Sequence, residues 1–444
     1  MENNFNFKRS IKKNLTIFYF LFSIYSVSAQ LKFTNIQLKD APGGMLYHSV
    51  CEPAIAIDPN NPDIMAAGSI IDDYYYSTDG GKTWKSSNLK SEFGVWGDPV
   101  ITFDYSGRVY YFHLADYKKT SWIDRIVCQS ADQVSGKFDN GTFPKPNGTK
   151  AQDKHWVVVN PNSNEIYLTW TQFDKYDSKS SNDSSVILFS KSSDQGKSWA
   201  DPIRISYYAG DCLDGDNSVE GAVPALGPNG EIYVTWSGPK GLVMQKSLDG
   251  GLTWLEKEKE ILLHEGGWDF FVPGLQRANG LPVLVSDMSD GPNKGTLYLN
   301  WCDQKNGKTD TDVWLSKSTD DGNTWTEPIR VNQDKTKSHQ FLTWMTIDQS
   351  DGALYFVYYD RRNHKSLQTD VYLSASFDGG VSFHDFKLNN KSFTPSDAEF
   401  LGDYLNIAAV DGVIRPIYPR MDDLKMTLWV TLVSKDELIK SIGQ

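Results

Sequence analysis

One eight-residue phrase recurs five times in this chain, and it limits the possible folds more than any other feature. The copies are STDGGKTW at 77–84, SSDQGKSW at 192–199, SLDGGLTW at 247–254, STDDGNTW at 318–325 and SFDGGVSF at 376–383. The shared pattern is S-x-D-x-G-x-[TS]-[WF]. Its chemistry is that of a turn. The Asp bonds backbone N–H groups, the Gly takes φ > 0, and the hydroxyls close the loop. The terminal aromatic anchors the turn by burying against a neighbouring strand.

Around each octad the chain reads as a unit of four short strands. The first strands are expected near Glu52, Asp98, Asp153, Glu220, Leu281, Gln340 and Gly402, at intervals of 46 to 67 residues. A Gly/Asn/Asp turn follows, then a second strand rich in Tyr, Val and Trp, then a variable loop. The third strand runs into the octad and the fourth closes the unit. Repeats of this kind imply an all-β chain, a β-propeller of four-stranded blades. The count is seven blades, with six as the alternative if the second or seventh unit is not a full blade. The second carries a degraded octad around Ser130-Ala131-Asp132. The seventh has about three strands, so the isolated run 31–39 (LKFTNIQLK) is expected to supply its outer strand and close the ring, leaving no free sheet edge.

The 444 residues, with 13% aromatics, 35 Gly and 14 Trp, suit one large turn-rich domain at 30–444. A net charge of −12 argues against nucleic acid or an anionic membrane surface as partner. Residues 1–29 read as a signal peptide, with Lys8, Arg9, Lys12 and Lys13 ahead of an apolar core and Val27-Ser28-Ala29 as the cleavage site. The core is too short to favour a membrane span. The expectation is an exported monomer in the periplasm, at the cell surface or secreted. Its four cysteines, Cys51, Cys128, Cys212 and Cys302, fit no zinc spacing. Two disulfides and unpaired buried thiols are both open.

In a propeller the octads share a face with the turns between first and second strands. Ligands are expected on the opposite face, over the axis. The first-strand entrances bring Glu52, Asp98, Asp153, Lys154, His155, Glu220, His339, Asp403 and Tyr404 there. Loops between second and third strands bring Arg125, Tyr359, Arg361, Arg362 and Arg420. The segment 264–269, with Trp268, covers the mouth. Paired carboxylates near an axis split into a raised-pKa acid and an ionised partner, which glycosyl transfer to water needs. Arg residues hold a carboxylate or sulfate bidentately. The competing reading is structural: carboxylates at strand entrances accept backbone N–H bonds and pin blades, and His155 beside Trp156 packs as a core histidine. No cofactor is required, although the acidic ring leaves Ca²⁺ in the central channel as a possibility.

The octads resemble Asp-boxes, the bacterial-neuraminidase repeats of the sialidase superfamily. EPAIAIDPNNPDIMAAGS, TDVWLSKSTDDGNTW, YYDRRN and FLGDY are similar to phrases of exported sialidase-like (exo-alpha-sialidase-like) proteins, and the resemblance spans about residues 45–435. It implies a glycoside hydrolase acting on a glycan that carries an acidic sugar. Sialidases use an arginine triad, a Tyr nucleophile with a Glu partner, and an Asp acid/base. On that pattern Tyr404 with Glu220 is the nucleophilic pair and Asp98 or Asp153 the acid/base. Arg361, Arg362 and Arg420 hold an anion, while Arg125, His339, Tyr359, Asp403 and Trp268 are further substrate contacts. The chain departs from the family ahead of the first octad: residues 31–76 contain no Arg, where sialidases carry their first triad Arg. Asp-boxes also occur in non-enzymatic binding propellers and in polysaccharide lyases, and these are the alternatives.

Overall fold

The computed structural model describes Met1 and residues 31–41, 50–115 and 122–443. Apart from Met1, the expected signal peptide lies outside these residues. Seven antiparallel sheets follow one another around an axis, at 54–88, 100–131, 151–204, 220–262, 283–330, 340–387 and 406–434. Each pairs its strands in chain order, the simplest outcome for short turns between consecutive strands. The first strands are Ala54–Asp58, Val100–Phe103, Ala151–Val159, Glu220–Leu226, Val283–Ser286, Gln340–Asp348 and Asn406–Val410, close to the expected starts. The seven-bladed count therefore holds over the six-bladed alternative.

Thr34–Ala41 pairs antiparallel with Lys425–Ser434 and forms the outer strand of blade 7. The ring is thus closed by joining the two ends of the chain. Blade 2 differs from the other six: its ladder has three strands, extended by a single bridge between Cys128 and Thr142. One helix, Lys435–Ile442, follows the last strand. Ser434 caps it by accepting from the Glu437 N–H, and Leu438 is buried.

Second strands are mostly buried, and Ile166–Phe173 (IYLTWTQF) and Ala353–Asp360 (ALYFVYYD) are buried along their whole length. Blades stack face to face, so both faces of a middle strand are covered and its sequence runs continuously apolar instead of alternating. The core therefore lies between blades. Phe112 of blade 2 meets Trp199 of blade 3 edge-on at 6.0 Å, and Phe189 of blade 3 meets Trp254 of blade 4 at 4.9 Å. All four cysteines are buried, and no disulfide forms among the described residues.

The octads join third to fourth strands, as expected. In the first, the Ser77 hydroxyl donates to Asp79 Oδ1 at 2.8 Å and accepts from the Gly81 N–H at 2.9 Å. The other carboxylate oxygen of Asp79 takes the Thr83 hydroxyl at 2.6 Å. Two consecutive residues are left-handed, Gly80 at φ 73° and Gly81 at φ 83°. Where the first of these positions carries a side chain, at Gln195 and Asp321, φ is still 63° and 58°, so the bonding network imposes the conformation. No helix among the described residues is long and apolar enough to cross a membrane.

Candidate functional site

The axial mouth opposite the octads is built from irregular first-strand entrances. Glu52, Asp98 and Lys154 have φ of 51°, 48° and 49°, and Gly221 and Gly402 have 73° and 102°. A left-handed residue with a Cβ costs about 1–2 kcal/mol, yet it recurs blade after blade at the same end of the strand. The ladders slip there too, between Asp153 and Trp156 on blade 3 and between Glu220 and Val223 on blade 4. A bulge of this kind turns successive side chains toward the same side, and here it aims carboxylates at the axis.

Asp403 is the hub of this cluster. Lys154 Nζ donates to its Oδ2 at 2.7 Å, and Arg277 donates through Nε to Oδ1 at 2.6 Å and through Nη2 to Oδ2. Arg277 Nη1 also reaches Asp214 Oδ2 at 3.0 Å, which accepts the Tyr176 hydroxyl at 2.5 Å. The Asp403 N–H donates to Glu52 Oε1 at 3.3 Å, and Asn279 Nδ2 donates to the Asp403 carbonyl at 2.8 Å. Six carboxylates (Glu52, Asp98, Asp153, Asp214, Glu220 and Asp403) share two cations, so they cannot all ionise alike. Burial alone raises Asp403, but Arg277 and Lys154 outweigh it and hold the carboxyl at about 2. Burial dominates at Asp153, which is pushed up to about 7 against the pull of Lys154. Glu52 is raised by burial and by the charges of Asp98 and Asp403. Asp98 and Glu220 are raised as well, each first by burial. Burial is overcome at Asp214 too, where Lys154 and Arg277 hold the carboxyl below its ordinary value, so two carboxyls held down by the cations stand among four that are pushed up.

Below the cluster lies an aromatic layer. Trp156 and Trp344 approach to 4.2 Å between ring centres, and Tyr404 meets Trp156 edge-on at 5.2 Å. Burial raises the Tyr404 phenol, reinforced by Asp98, Glu52 and Asp403. Beneath the rings, a channel of about 290 Å³ runs along the first strands, lined by such residues as Ile55, Val223 and Met345. No group of three or more His, Cys, Asp or Glu among the described residues is placed to hold a metal ion. The counter-charge of the acidic ring comes from Lys154 and Arg277.

The structure brings Asp98, Asp153, Glu220, Asp403 and Tyr404 together, as the strand entrances imply. Glu220 accepts the Ser218 hydroxyl at 2.7 Å, and its charged neighbours are Asp214, Lys154 and Asp153, whereas those of Tyr404 are Asp98, Glu52 and Asp403. The arginines singled out from the sequence are engaged elsewhere. Arg125 forks onto Asp124 at 2.9 and 2.7 Å and lies over Phe143. Arg362 is held by Asp360 at 2.6 Å and Asp385 at 2.5 Å and stacks on Tyr372. Arg420 pairs with Asp422 at 3.0 Å. Arg361 donates to Thr369 Oγ1 and to the Pro273 carbonyl at 2.8 Å, and burial lowers it to about 10. His339 contacts the Thr311 hydroxyl at 2.9 Å, and burial keeps it neutral with a pKa near about 4. The Tyr359 hydroxyl donates to the Pro419 carbonyl at 2.5 Å.

Arg277, Asp214 and Tyr176 were not legible as site residues. Arg277 comes from the long connection between blades 4 and 5, where Asp269–Phe270 pairs with Ala278–Asn279 across the mouth. Trp268, in the same connection, is buried, and its carbonyl accepts the Gly280 N–H at 2.8 Å. The available signal was compositional: Arg277 is the one Lys or Arg in residues 261–282.

Comparison with known proteins agrees with this architecture. The BNR/Asp-box repeat family matches residues 75–86, the third strand and octad of blade 1. No curated protein matches the chain. Among solved structures, a leech intramolecular trans-sialidase, complexed with 2,7-anhydro-Neu5Ac, superposes with a TM-score of 0.51 at 11% identity, over 81% of this chain and 72% of that one. The Trypanosoma rangeli sialidase in complex with the inhibitor DANA gives 0.46 at 14% identity, over 81% of this chain and 57% of that one. The NanB sialidase of Streptococcus pneumoniae gives 0.49 at 10% identity, over 84% of each chain. The repeat, the ring and the trans-sialidase superposition together make this chain an Asp-box-repeat β-propeller of sialidase-like fold.

Proposed function

We propose that the chain is an exported glycoside hydrolase whose acid, base and nucleophile are drawn from the axial cluster. One observation carries the reading: Asp403 is held ionised by Lys154 and Arg277, while Asp153 beside them is pushed up to about 7. Such a split supplies a proton donor and a fixed negative charge within one site, as cleavage of a glycosidic bond requires. Asp153 donates its proton to the leaving oxygen. Tyr404 attacks the anomeric carbon while Asp98 or Glu52, in its ionised form, takes the phenol proton; burial raises both carboxyls, which makes their ionised forms stronger bases. The negative charge of Asp403 favours the oxocarbenium-like transition state. The acidic sugar expected of the substrate meets Arg277, whose side chain is 39% exposed.

The test is hydrolysis of a panel of 4-methylumbelliferyl glycosides that includes a sialoside and a glucuronide. Asp153→Asn and Tyr404→Phe are expected to lower kcat at least about a hundredfold, the scale of lost acid–base catalysis, with the melting temperature kept. Full activity in Tyr404→Phe would sink its role as nucleophile. A second reading, a non-catalytic glycan-binding propeller, draws support from the engagement of both Asp403 oxygens by internal cations. Glycan-array binding with no turnover of any bound glycan would favour it.

A further inference from the structure

Blade 2 lacks a fourth ladder strand, and the space beside it is a cavity of about 520 Å³. Its cause is in the sequence. Residues 142–150 read TFPKPNGTK, and Pro144 and Pro146 each remove a backbone donor, so the segment cannot extend the ladder beyond the bridge at Thr142. It stands away instead and forms one wall of a cleft.

The opposite wall is one face of blade 3. Gln172 pairs with Gln152 and Val186, Trp170 with Leu188, and Leu188 with Arg204, so these side chains form two adjacent rows. Trp170 and Leu188 share a core cluster with Phe112 and Cys128 of blade 2, while Ile187 and Phe189 on the other face pack with Ile232 and Val234 of blade 4. The cleft thus opens between blades 2 and 3, off the axis. The axial cluster is not part of its lining.

The floor is set rigidly. Trp170 Nε1 donates to Gln152 Oε1 at 2.6 Å, and Gln152 Nε2 donates to the Lys150 carbonyl at 3.0 Å. Gln172 accepts from Asn147 Nδ2 at 3.1 Å. Gln172 is 3% exposed and lines the cleft. Asp201, exposed at the lip, adds a carboxylate with no partner among the described residues. A volume of this size falls in the range of small-molecule sites. Amide and carboxylate groups around an indole recognise the hydroxyls and apolar face of a sugar ring.

We propose that this cleft is a second, off-axis saccharide-binding site that takes a neutral disaccharide-sized glycan end. The test uses the full chain, with lactose, cellobiose, xylobiose and N,N′-diacetylchitobiose as probes in saturation-transfer NMR and calorimetry. At least one probe is expected to bind saturably. Gln172→Met, which keeps the volume, and Asp201→Ala, at the exposed lip, should each weaken it about tenfold without lowering the melting temperature. Tyr404→Phe should leave it unchanged. Absence of binding by every probe would overturn the proposal. So would an affinity unmoved in both cleft variants, or binding that is lost in Tyr404→Phe instead.

Discussion

Asp403 accepts from Lys154 and Arg277 at once, so removing its charge strands both cations. Lys154 is 6% exposed and carries most of the penalty, while Arg277 at 39% is partly relieved by solvent. Breaking a buried pair from one side costs about 3–5 kcal/mol, and Asp403→Asn is expected to lose stability on that scale in urea unfolding. Asp153 predicts a pH dependence. Its folded pKa of about 7 lies above the ordinary 3.8, so its contribution to stability is full below 3.8 and is lost as pH rises through about 7. The wild-type urea midpoint should fall across that window more steeply than that of Asp153→Asn. Activity carried by a protonated Asp153 should decline over the same rise. These carboxylates were legible as an axial ring because each stands at the head of a recognisable strand. Their ordering by pKa was not, since it depends on Arg277, which arrives from a connection far along the chain.

At the scale of one element, the octads lock neighbouring blades as well as their own turns. Lys191, Lys246 and Lys317 each reach into the next blade's octad, at the Gly250, Asp321 and Gly379 carbonyls, over 2.8, 3.1 and 2.8 Å. Arg415 makes the same contact from blade 7 to the Gly80 carbonyl of blade 1, at 2.7 Å. In every case the acceptor is the fourth octad residue, whose left-handed backbone turns its carbonyl outward. Each lysine sits immediately before the octad of its own blade, and the blade after it carries an octad too. Ala375 and Tyr76 take that place where the next blade has none. Lys317→Met is therefore expected to cost about 0.5–1.5 kcal/mol, the net value of one hydrogen bond, measured by thermal or urea unfolding. The octad carboxylates add an acid limit. Bonds from Thr83, Thr253 and Thr324 hold Asp79, Asp249 and Asp320 at about 2. Their contribution is present above the ordinary 3.8 and is lost as pH falls through about 2. An acid titration followed by tryptophan fluorescence should show unfolding in that interval.

For the whole molecule, closure of the ring depends on a strand more than 380 residues from its partner, Thr34 beside Leu432. Deleting residues 31–41 would bare the edge of Lys425–Ser434, a template for pairing with another chain. The shortened protein is expected to melt earlier and to elute as larger species than the full chain in size-exclusion chromatography. The sequence alone settled the blade architecture, the octad turns and the closing strand, and put the blade count at seven with six left for the structure to exclude. All of these follow from local patterns: turn chemistry fixed within eight residues, and strands marked by short apolar runs. Tertiary structure alone decided which charges meet. Arg277 lies 126 residues from Asp403 and Lys154 lies 249 from it, and no spacing rule links positions brought together by the closing of a ring. The same holds for the cleft beside blade 2, where two prolines are plain in the sequence but the wall they leave uncovered belongs to another blade.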